Sequence, residues 1–195
     1  QLDHMFARDD ITKSICEAIR GCECKKVVDP TLLYLDRWKN EAKPYPNIAD
    51  NYILYYSYNQ KPLMLNHIKQ FAKEKNLKVI VAGFKYDWCD ESLIVEPKQF
   101  LTLMKNAKYV VTTTFHGSVF AVIFKRKFIG FYPNKNPKVH DFLKQVGLEH
   151  RVYIQNMPYY EFKNILEETI DYNNIHNKLK EKIKGSMELL INAMS

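Results

Sequence analysis

A histidine and a glycine interrupt an apolar stretch of this sequence at residues 110–124, VVTTTFHGSVFAVIF. The β-branched run before the interruption is typical of a buried strand, and the apolar residues after it recur at helical spacing. An imidazole at such a strand-to-helix turn can exchange protons near neutral pH, as a general acid or base does. From the residues alone, His116 can equally be a capping or packing residue.

The residues around His116 also suit an anion. A helix that begins at about Gly117 would offer N–H groups and the positive end of its dipole to a ligand. Threonine and serine hydroxyls on both sides add hydrogen-bond donors, and Gly117 would let a ligand or another part of the backbone come close. The turn therefore predicts a place for a phosphate or a carboxylate.

The positive charge of the chain is concentrated in the segment that contains this turn. The chain carries 29 Lys and Arg against 22 Asp and Glu, a formal net charge of +7. Between Pro97 and His140 there are eight Lys and Arg and no Asp or Glu, which leaves 21 basic and 22 acidic residues elsewhere. We expect the positive field of this segment to surround the turn and to attract anions.

Alternating strand and helix signals indicate the elements that hold the turn. Strand patterns occur at residues 25–28, 51–58, 78–82, 109–113 and 128–132, with a weaker one at 152–154. Helix patterns occur at residues 10–21, 62–76, 97–106, 117–125 and 139–147 and again near the C-terminus. Strands separated by helices imply parallel βαβ units. The predicted fold class is α/β, with a Rossmann-like, mostly parallel sheet flanked by helices and the turn beyond the carboxyl end of one strand, where such sheets bind ligands.

Three amphipathic or irregular stretches carry further expectations. The first helix has Ile11, Ile15, Ala18 and Ile19 on one face, and the last helix repeats apolar residues in a way that predicts docking onto the domain. Residues 83–95 have the pattern of an irregular loop. Its aromatic and acidic side chains could bind a sugar by stacking and hydrogen bonding, and the alternative is an ordinary surface loop without a ligand.

Length and composition fit a globular protein. The chain has 195 residues, of which 46% are hydrophobic and 26% charged, and no apolar run approaches the roughly 20 residues that span a bilayer. The four cysteines lack the paired spacing of a zinc site, which favours reduced thiols over a disulfide or metal framework. Without a signal-peptide pattern, we expect a cytoplasmic protein, with the inner face of the membrane as a further place where it could act.

The turn and four other segments resemble the polysaccharide pyruvyl transferase family. Residues 110–139 are similar to the C-terminal signature of that family, in which Phe-His-Gly is followed by an apolar helix, a turn and a strand. The other segments resemble family elements in the same order along the chain: FARD at residues 6–9, VDPTLL at 28–33, PKQFL at 97–101 and NPKV at 136–139. The resemblance covers residues 5–150.

The resemblance implies transfer of a pyruvyl group from phosphoenolpyruvate to a sugar of a cell-surface polysaccharide or exopolysaccharide, as a ketal. It implies no cofactor besides this donor substrate, and a sugar or lipid-linked oligosaccharide as the acceptor. His116 would be the general acid or base, and Lys138 and Arg8 would bind the phosphate or carboxylate of the donor. Because aligning Lys138 requires a two-residue insertion, Lys135 is its rival. The anion pocket would be lined by Thr113, Thr114, Gly117 and Ser118.

The resemblance also implies a domain organisation. Family members are similar to two-domain, GT-B-like enzymes with an active site in the cleft between two Rossmann-like domains. We expect residues 1–195 to form one such domain, resembling one half of the enzyme, with an approach segment at 1–45, a core at 46–158 and C-terminal helices at 159–195. The chain would then be the C-terminal part of a longer protein whose N-terminal domain completes the cleft, and it could be inactive alone.

Two other function classes stay open from the sequence. A GT-B-type glycosyltransferase that uses a nucleotide sugar would share the fold, but such enzymes commonly place a carboxylate after the turn, and here none occurs before Asp141. A non-catalytic domain that binds anions or glycans would use the basic charge and the 13 Tyr and 11 Phe for contacts. Most of these aromatic residues fall at core positions, and we expect no nucleic-acid partner.

Overall fold

Residues 4–58, 62–132 and 136–194 are described by a computed structural model of the chain. The chain divides into two compact units. Unit 1 consists of Gln1–Leu35, Asn134–Glu149 and Asp171–Ser195, and unit 2 of Asp36–Pro133 and His150–Ile170. The expected division into an approach segment, a core and C-terminal helices stays a prediction.

Strands and helices alternate along the described residues. The strands are β1 (Phe6–Ala7), β2 (Lys25–Lys26), β3 (Tyr52–Tyr56), β4 (Lys78–Ala82), β5 (Glu91–Leu93), β6 (Tyr109–Thr112) and β7 (Lys127–Gly130). The helices are α1 (Asp10–Arg20), α2 (Pro30–Leu33), α3 (Trp38–Glu41), α4 (Pro62–Lys75), α5 (Pro97–Asn106), α6 (Phe115–Ile123), α7 (Pro137–Val146), α8 (Tyr159–Glu167) and α9 (Tyr172–Asn192).

Unit 2 contains a parallel sheet with the strand order β5-β4-β3-β6-β7. The register pairs Ile53 with both Val79 and Tyr109, and Tyr109 in turn with Lys127. Because all these strands are parallel, their first residues lie at one edge of the sheet and their last residues at the opposite, carboxyl edge. The predicted Rossmann-like parallel sheet flanked by helices is confirmed.

Two of the three inner strands of this sheet, β3 and β4, are covered on both faces. Alternate residues of β3, such as Ile53 and Tyr55, belong to a fully buried cluster with α4 and α8 that includes Ile68, Phe71 and Phe162. The side chain of Tyr52 points to the other face, where its hydroxyl donates a hydrogen bond to the carbonyl oxygen of Leu103 in α5 at 2.6 Å. This packing explains why β3 and β4 are almost uninterrupted apolar runs.

Unit 1 holds a smaller parallel pair, β1 and β2, joined through α1. Ile11, Ile15 and Ile19 of α1 are exposed. Helical spacing shows that the three residues share a face, and it does not show what covers that face. In α9, Ile175 and Leu179 are buried, whereas Met187, Ile191 and the following Met194 are exposed. The predicted docking therefore holds for the first half of α9.

Several predicted boundaries are corrected. The segment 83–95 is not wholly irregular, because β5 lies inside it and pairs with β4. The predicted strand at 152–154 is reduced to a single bridge between Val152 and Gly130. The helix after β6 begins at Phe115 and not at Gly117, since the side chain of Thr114 caps it two residues earlier than expected.

Neither a membrane span nor a metal cluster occurs in the part of the chain that the structure describes. No helix there is long and apolar enough to cross a bilayer. No group of three or more His, Cys, Asp or Glu is placed to hold a metal ion among the same residues.

Candidate functional site

The candidate site lies at the carboxyl edge of the unit 2 sheet, where β6 passes into α6. Thr114 has extended backbone angles and its hydroxyl oxygen accepts a hydrogen bond from the Gly117 N–H at 2.9 Å. This is the N-cap arrangement that starts a helix. His116 consequently stands in the first turn of α6, whereas the predicted helix would begin one residue after it.

A network of hydroxyl groups fixes the turn from below. The Thr112 hydroxyl donates to the carbonyl oxygen of Tyr56 at 2.7 Å and accepts the Thr114 N–H at 3.1 Å. The Thr113 hydroxyl lies 2.8 Å from that of Ser57, which follows the neighbouring strand β3. These bonds tie the ends of β3 and β6 together and give the first turn of α6 a fixed position.

Gly117 is required by its neighbours in the chain. A Cβ at this position would lie only 2.8 Å from the Cβ of Thr112 and from the hydroxyl oxygen of Thr114, and it would meet the Thr112 hydroxyl oxygen at even shorter range. Real side chains do not approach so closely, so the glycine is explained by the buried threonines that press against it.

His116 is exposed at the top of this turn. Its ring stands nearly perpendicular to that of Phe115, with 5.2 Å between the ring centroids. By contrast, Thr114, Gly117 and Ser118 are buried and Thr113 is half-buried. The turn thus presents an imidazole to solvent above a buried support; the expected role of His116 in proton transfer, and the lining of a pocket by the four smaller residues, stay predictions.

Tyr132 is a member of the support that sequence reasoning missed. Its hydroxyl forms a short hydrogen bond with that of Ser118. Burial raises the pKa of the Tyr132 phenol, although the bond to Ser118 acts in the opposite direction. The signal that could have identified it is its position two residues after β7, because β7 pairs with β6 and the two strands end at the same edge.

The basic segment does not surround His116, so this expectation is wrong for most of its charge. Lys105, at the end of α5, and Lys108 precede β6, whereas Lys125 and Arg126 precede β7 and Lys127 is its first residue. Residues before parallel strands lie at the amino edge of the sheet, opposite to the carboxyl edge that carries His116. Arg126 confirms this placement, since its guanidinium donates hydrogen bonds to the carbonyl oxygens of Phe124 and Ala107.

The other cations of the segment are distributed differently. Lys98, in the first turn of α5, forms an ion pair with Glu41 at 2.6 Å. Lys138 is exposed in the first turn of α7, in unit 1. Lys135 lies outside the described residues.

Arg8 lies in unit 1 beside a residue from a second motif. Its guanidinium donates to the Asp29 carboxylate at 2.5 Å, and the same carboxylate accepts the Thr31 N–H at 2.9 Å and so caps α2. Burial alone would raise the pKa of Asp29, but the hydrogen bonds from Thr31 and the ion pair with Arg8 lower it. β1 and β2 pair in parallel, and Arg8 follows β1 whereas Asp29 follows β2. The segments 6–9 and 28–33 therefore meet at this ion pair.

A comparison with models of protein families matches residues 1–135 to polysaccharide pyruvyl transferase. The chain belongs to the polysaccharide pyruvyl transferase family. The matched residues include the Arg8 and Asp29 segments as well as the turn that carries His116, so the predicted family is confirmed. The NPKV segment at residues 136–139 lies beyond the match. A comparison with curated proteins gave no match.

Solved structures of UDP-GlcNAc 2-epimerases share the fold of this pyruvyl transferase family member. The enzyme from Methanocaldococcus jannaschii, in complex with UDP-GlcNAc and UDP, is 17% identical with a TM-score of 0.63, over 96% of this chain and 61% of that one. The enzyme from Neisseria meningitidis, bound to UDP-GlcNAc, is 13% identical with a TM-score of 0.63, over 98% of this chain and 60% of that one. The chain thus spans less than two thirds of the length of either relative, and the likeness concerns the fold alone.

Proposed function

We propose that this member of the polysaccharide pyruvyl transferase family takes the pyruvyl group of phosphoenolpyruvate and transfers it to two hydroxyl groups of a sugar in a cell-surface polysaccharide or exopolysaccharide. The observation that carries the proposal is the exposed imidazole of His116 in the first turn of α6, inside the residues that match the family. The acceptor is a sugar of the polysaccharide or of its lipid-linked oligosaccharide precursor.

The proposed reaction is balanced by two proton transfers. The C2 atom of phosphoenolpyruvate gains two bonds to acceptor oxygens, and it loses its bond to the phosphate oxygen and the π bond of its double bond to C3. One of the two hydroxyl protons is transferred to C3, which becomes a methyl group, and the other leaves with the phosphate. The products are one ketal and one hydrogen phosphate, and no external oxidant or reductant takes part.

His116 is the residue proposed to carry these protons. An imidazole can accept a proton from a hydroxyl group and donate one to carbon or to a leaving group near neutral pH. Its exposure leaves the ring accessible to a substrate, and the hydroxyl network under the turn limits its backbone to one position. The amino end of α6 carries partial positive charge, which suits the phosphate or the carboxylate of the donor.

Roles in binding the anionic groups of the donor are proposed as the family resemblance implies them, residue by residue. Lys138 and Arg8 would each bind an anionic group of phosphoenolpyruvate, with Lys135 as the rival of Lys138. Arg8 would do so with a guanidinium whose orientation is set by Asp29. Among the residues expected to line the pocket, Thr113 is the half-buried one and therefore the best placed to contact a ligand, whereas Thr114, Gly117 and Ser118 would act through the position of the turn.

The test is direct detection of the product. The protein is incubated with phosphoenolpyruvate and with polysaccharide from a strain that lacks it. We expect a new ketal methyl signal by NMR and release of one phosphate per ketal. Glycosyl transfer from a nucleotide sugar with no response to phosphoenolpyruvate would contradict the proposal, and so would binding of glycan or DNA without any turnover.

A further inference from the structure

We propose that an aromatic cluster on the same edge of the sheet as His116 binds the sugar acceptor. The cluster consists of Tyr56, Tyr58, Phe84 and Phe100 and is called the edge cluster below. The inference rests on the proposed function, because it assigns the acceptor of that reaction to particular residues. It concerns a ligand with a neutral sugar ring, whose C–H face can stack on an aromatic ring while its hydroxyl groups form hydrogen bonds.

The edge cluster lies next to the His116 turn within unit 2. Tyr56, the last residue of β3, is the register partner of Thr112, the last residue of β6. The carbonyl oxygen of Tyr56 accepts the Thr113 N–H at 3.2 Å. Neighbouring strands are roughly 4.8 Å apart, so a short oligosaccharide that contacts Tyr58, two residues beyond β3, also extends over the end of β6.

Tyr58 is unusual because it is both exposed and held in place. Its side chain is 60% exposed, yet its hydroxyl lies 3.3 Å from that of Tyr56 and its ring meets the Phe84 ring edge to face at 5.5 Å. An isolated surface tyrosine would lose rotamer freedom when it binds a ligand. A ring that is already fixed avoids much of that entropy cost, which favours binding.

The other members of the edge cluster fix this arrangement from both sides. The Tyr56 ring packs on Phe100 with 4.6 Å between centroids, and Phe100 contacts Phe120 of α6 at 6.1 Å. On the other side, Phe84 follows Gly83, whose positive φ of 88° turns the chain and whose N–H donates to Leu93 at 2.9 Å. The cluster therefore connects the loop after β4 with the helix that carries His116.

The phenol groups of the edge cluster can recognise sugar hydroxyls as well as C–H faces. Burial raises the pKa of Tyr56, and its hydrogen bond with Tyr58 raises that pKa further. Tyr56 therefore stays protonated at neutral pH and can both donate and accept a hydrogen bond. A phenol that both donates and accepts hydrogen bonds, next to an exposed aromatic ring, suits a polyhydroxylated ligand.

The remaining aromatic residues of the loop after β4 do not belong to this surface. Phe84, Tyr86 and Trp88 all pack against the buried cluster under α4, and Phe84 in addition meets the ring of Tyr58. The Trp88 ring meets that of Tyr55 at 5.2 Å. The presence of Tyr86 and Trp88 is explained by the core, because β4 returns to β5 through this loop. The inference is thus limited to the carboxyl edge and to Tyr58 as its exposed ring.

The test compares Tyr58 with a matched tyrosine. Tyr160, in α8 of the same unit, is 68% exposed and lies outside the edge cluster. The probe is a set of oligosaccharides of about four sugar residues, prepared by mild hydrolysis of polysaccharide from a strain that lacks the protein, and binding is measured by calorimetry without phosphoenolpyruvate. We expect Tyr58→Ala to weaken binding by about tenfold or more, which is the effect of losing one aromatic stack. Tyr58→Phe should bind within about threefold of the unmodified protein, because the ring remains. Tyr160→Ala should bind as the unmodified protein does.

The outcomes separate this inference from the proposed function. The acceptor site is overturned if the oligosaccharides do not bind to the unmodified protein, or if Tyr58→Ala binds them as tightly as the unmodified protein does. Tyr58→Gln, whose melting temperature is measured to check that it is folded, is a second variant for the same comparison. If Tyr58-dependent binding is found but no ketal forms from phosphoenolpyruvate, the acceptor site stands and the proposed function falls. If ketal forms with an unchanged KM for the acceptor in Tyr58→Ala, the acceptor site falls and the function stands.

Discussion

At position 117 the absence of a side chain fixes the geometry of the site. Thr112 and Thr114 occupy the space that a Cβ would need, and both are engaged in hydrogen bonds that define the turn. Any larger residue must push these threonines aside, and the N-cap of α6 would move with them. The glycine therefore acts on His116 through the backbone of the first helical turn.

We predict that Gly117→Ala destabilises the protein, although alanine favours helices. Overpacking of a dense interior costs about 1–3 kcal/mol, and here the contact is with buried threonines. Gly185→Ala is the matched control, because Gly185 also lies inside a helix and a Cβ there meets nothing within 4 Å; it should stabilise by about 0.5–1 kcal/mol. Urea denaturation measures both, and a Gly117→Ala variant as stable as the unmodified protein would contradict the packing argument.

The sequence predicts the strand-to-helix junction that carries His116 but not the residues that support this turn. His116 at a strand-to-helix junction is visible from periodicity and from the Phe-His-Gly resemblance. The contact between Ser118 and Tyr132 depends on the pairing of β6 with β7, and residues 14 apart in sequence carry no local signal of it. The close approach at Gly117 is hidden for the same kind of reason, because a glycine in a sequence does not show which atom comes close.

At the scale of elements, strands β1 and β2 and the helices that follow them are connected by side-chain contacts in unit 1. Each strand is followed by an aspartate that caps the next helix, Asp9 for α1 and Asp29 for α2. The parallel pairing of the strands places Arg8 against Asp29. One carboxylate therefore holds a helix start and an arginine at once, so the two motifs depend on each other.

We predict that Asp29→Asn lowers stability by about 1–3 kcal/mol at pH 7, since it weakens a helix cap and removes an ion pair. The pKa of Asp29 is lowered by folding, so its contribution is present above the unfolded pKa of about 3.9 and is lost as pH falls through the folded value. The variant should therefore show a weaker loss of stability between about pH 5 and pH 3. Urea denaturation at several pH values measures the free energy of unfolding of both proteins, and Glu188→Gln, at an exposed position, is the control. Identical dependence of this free energy on pH in Asp29→Asn and in the unmodified protein would contradict the prediction.

The sequence predicted helices and strands well where the spacing of apolar residues defines them. It predicted poorly which charged residues lie at the same edge of the sheet. The apolar runs of β4 and β6 and the helical spacing of α5 identify these elements directly. The basic segment misled because Lys108 and His116 are eight residues apart in sequence but lie at opposite ends of β6. Clustering along the chain does not translate into clustering in space when a strand separates the charges.

On the scale of the whole molecule, the family and the fold are shown by two different comparisons. The family match covers residues 1–135, and the fold of the described residues is shared with UDP-GlcNAc 2-epimerases at a TM-score of 0.63. The fold was predictable because strands and helices alternate throughout. The organisation into two units was not, since unit 1 is assembled from three separate stretches of the chain, and no local pattern marks residues that come together from such distances.

The central claim is that the exposed imidazole of His116 carries protons in pyruvyl transfer. The most direct measurement is the rate of phosphate release from phosphoenolpyruvate in the presence of the acceptor, for His116→Ala and for His140→Ala, which removes another exposed histidine. We predict a loss of about 10²- to 10⁴-fold for His116→Ala, with binding of phosphoenolpyruvate retained, and an unchanged rate for His140→Ala. If His116→Ala keeps a rate within about threefold of the unmodified protein, the loss is far smaller than that caused by removing a general acid or base. This result would contradict the account.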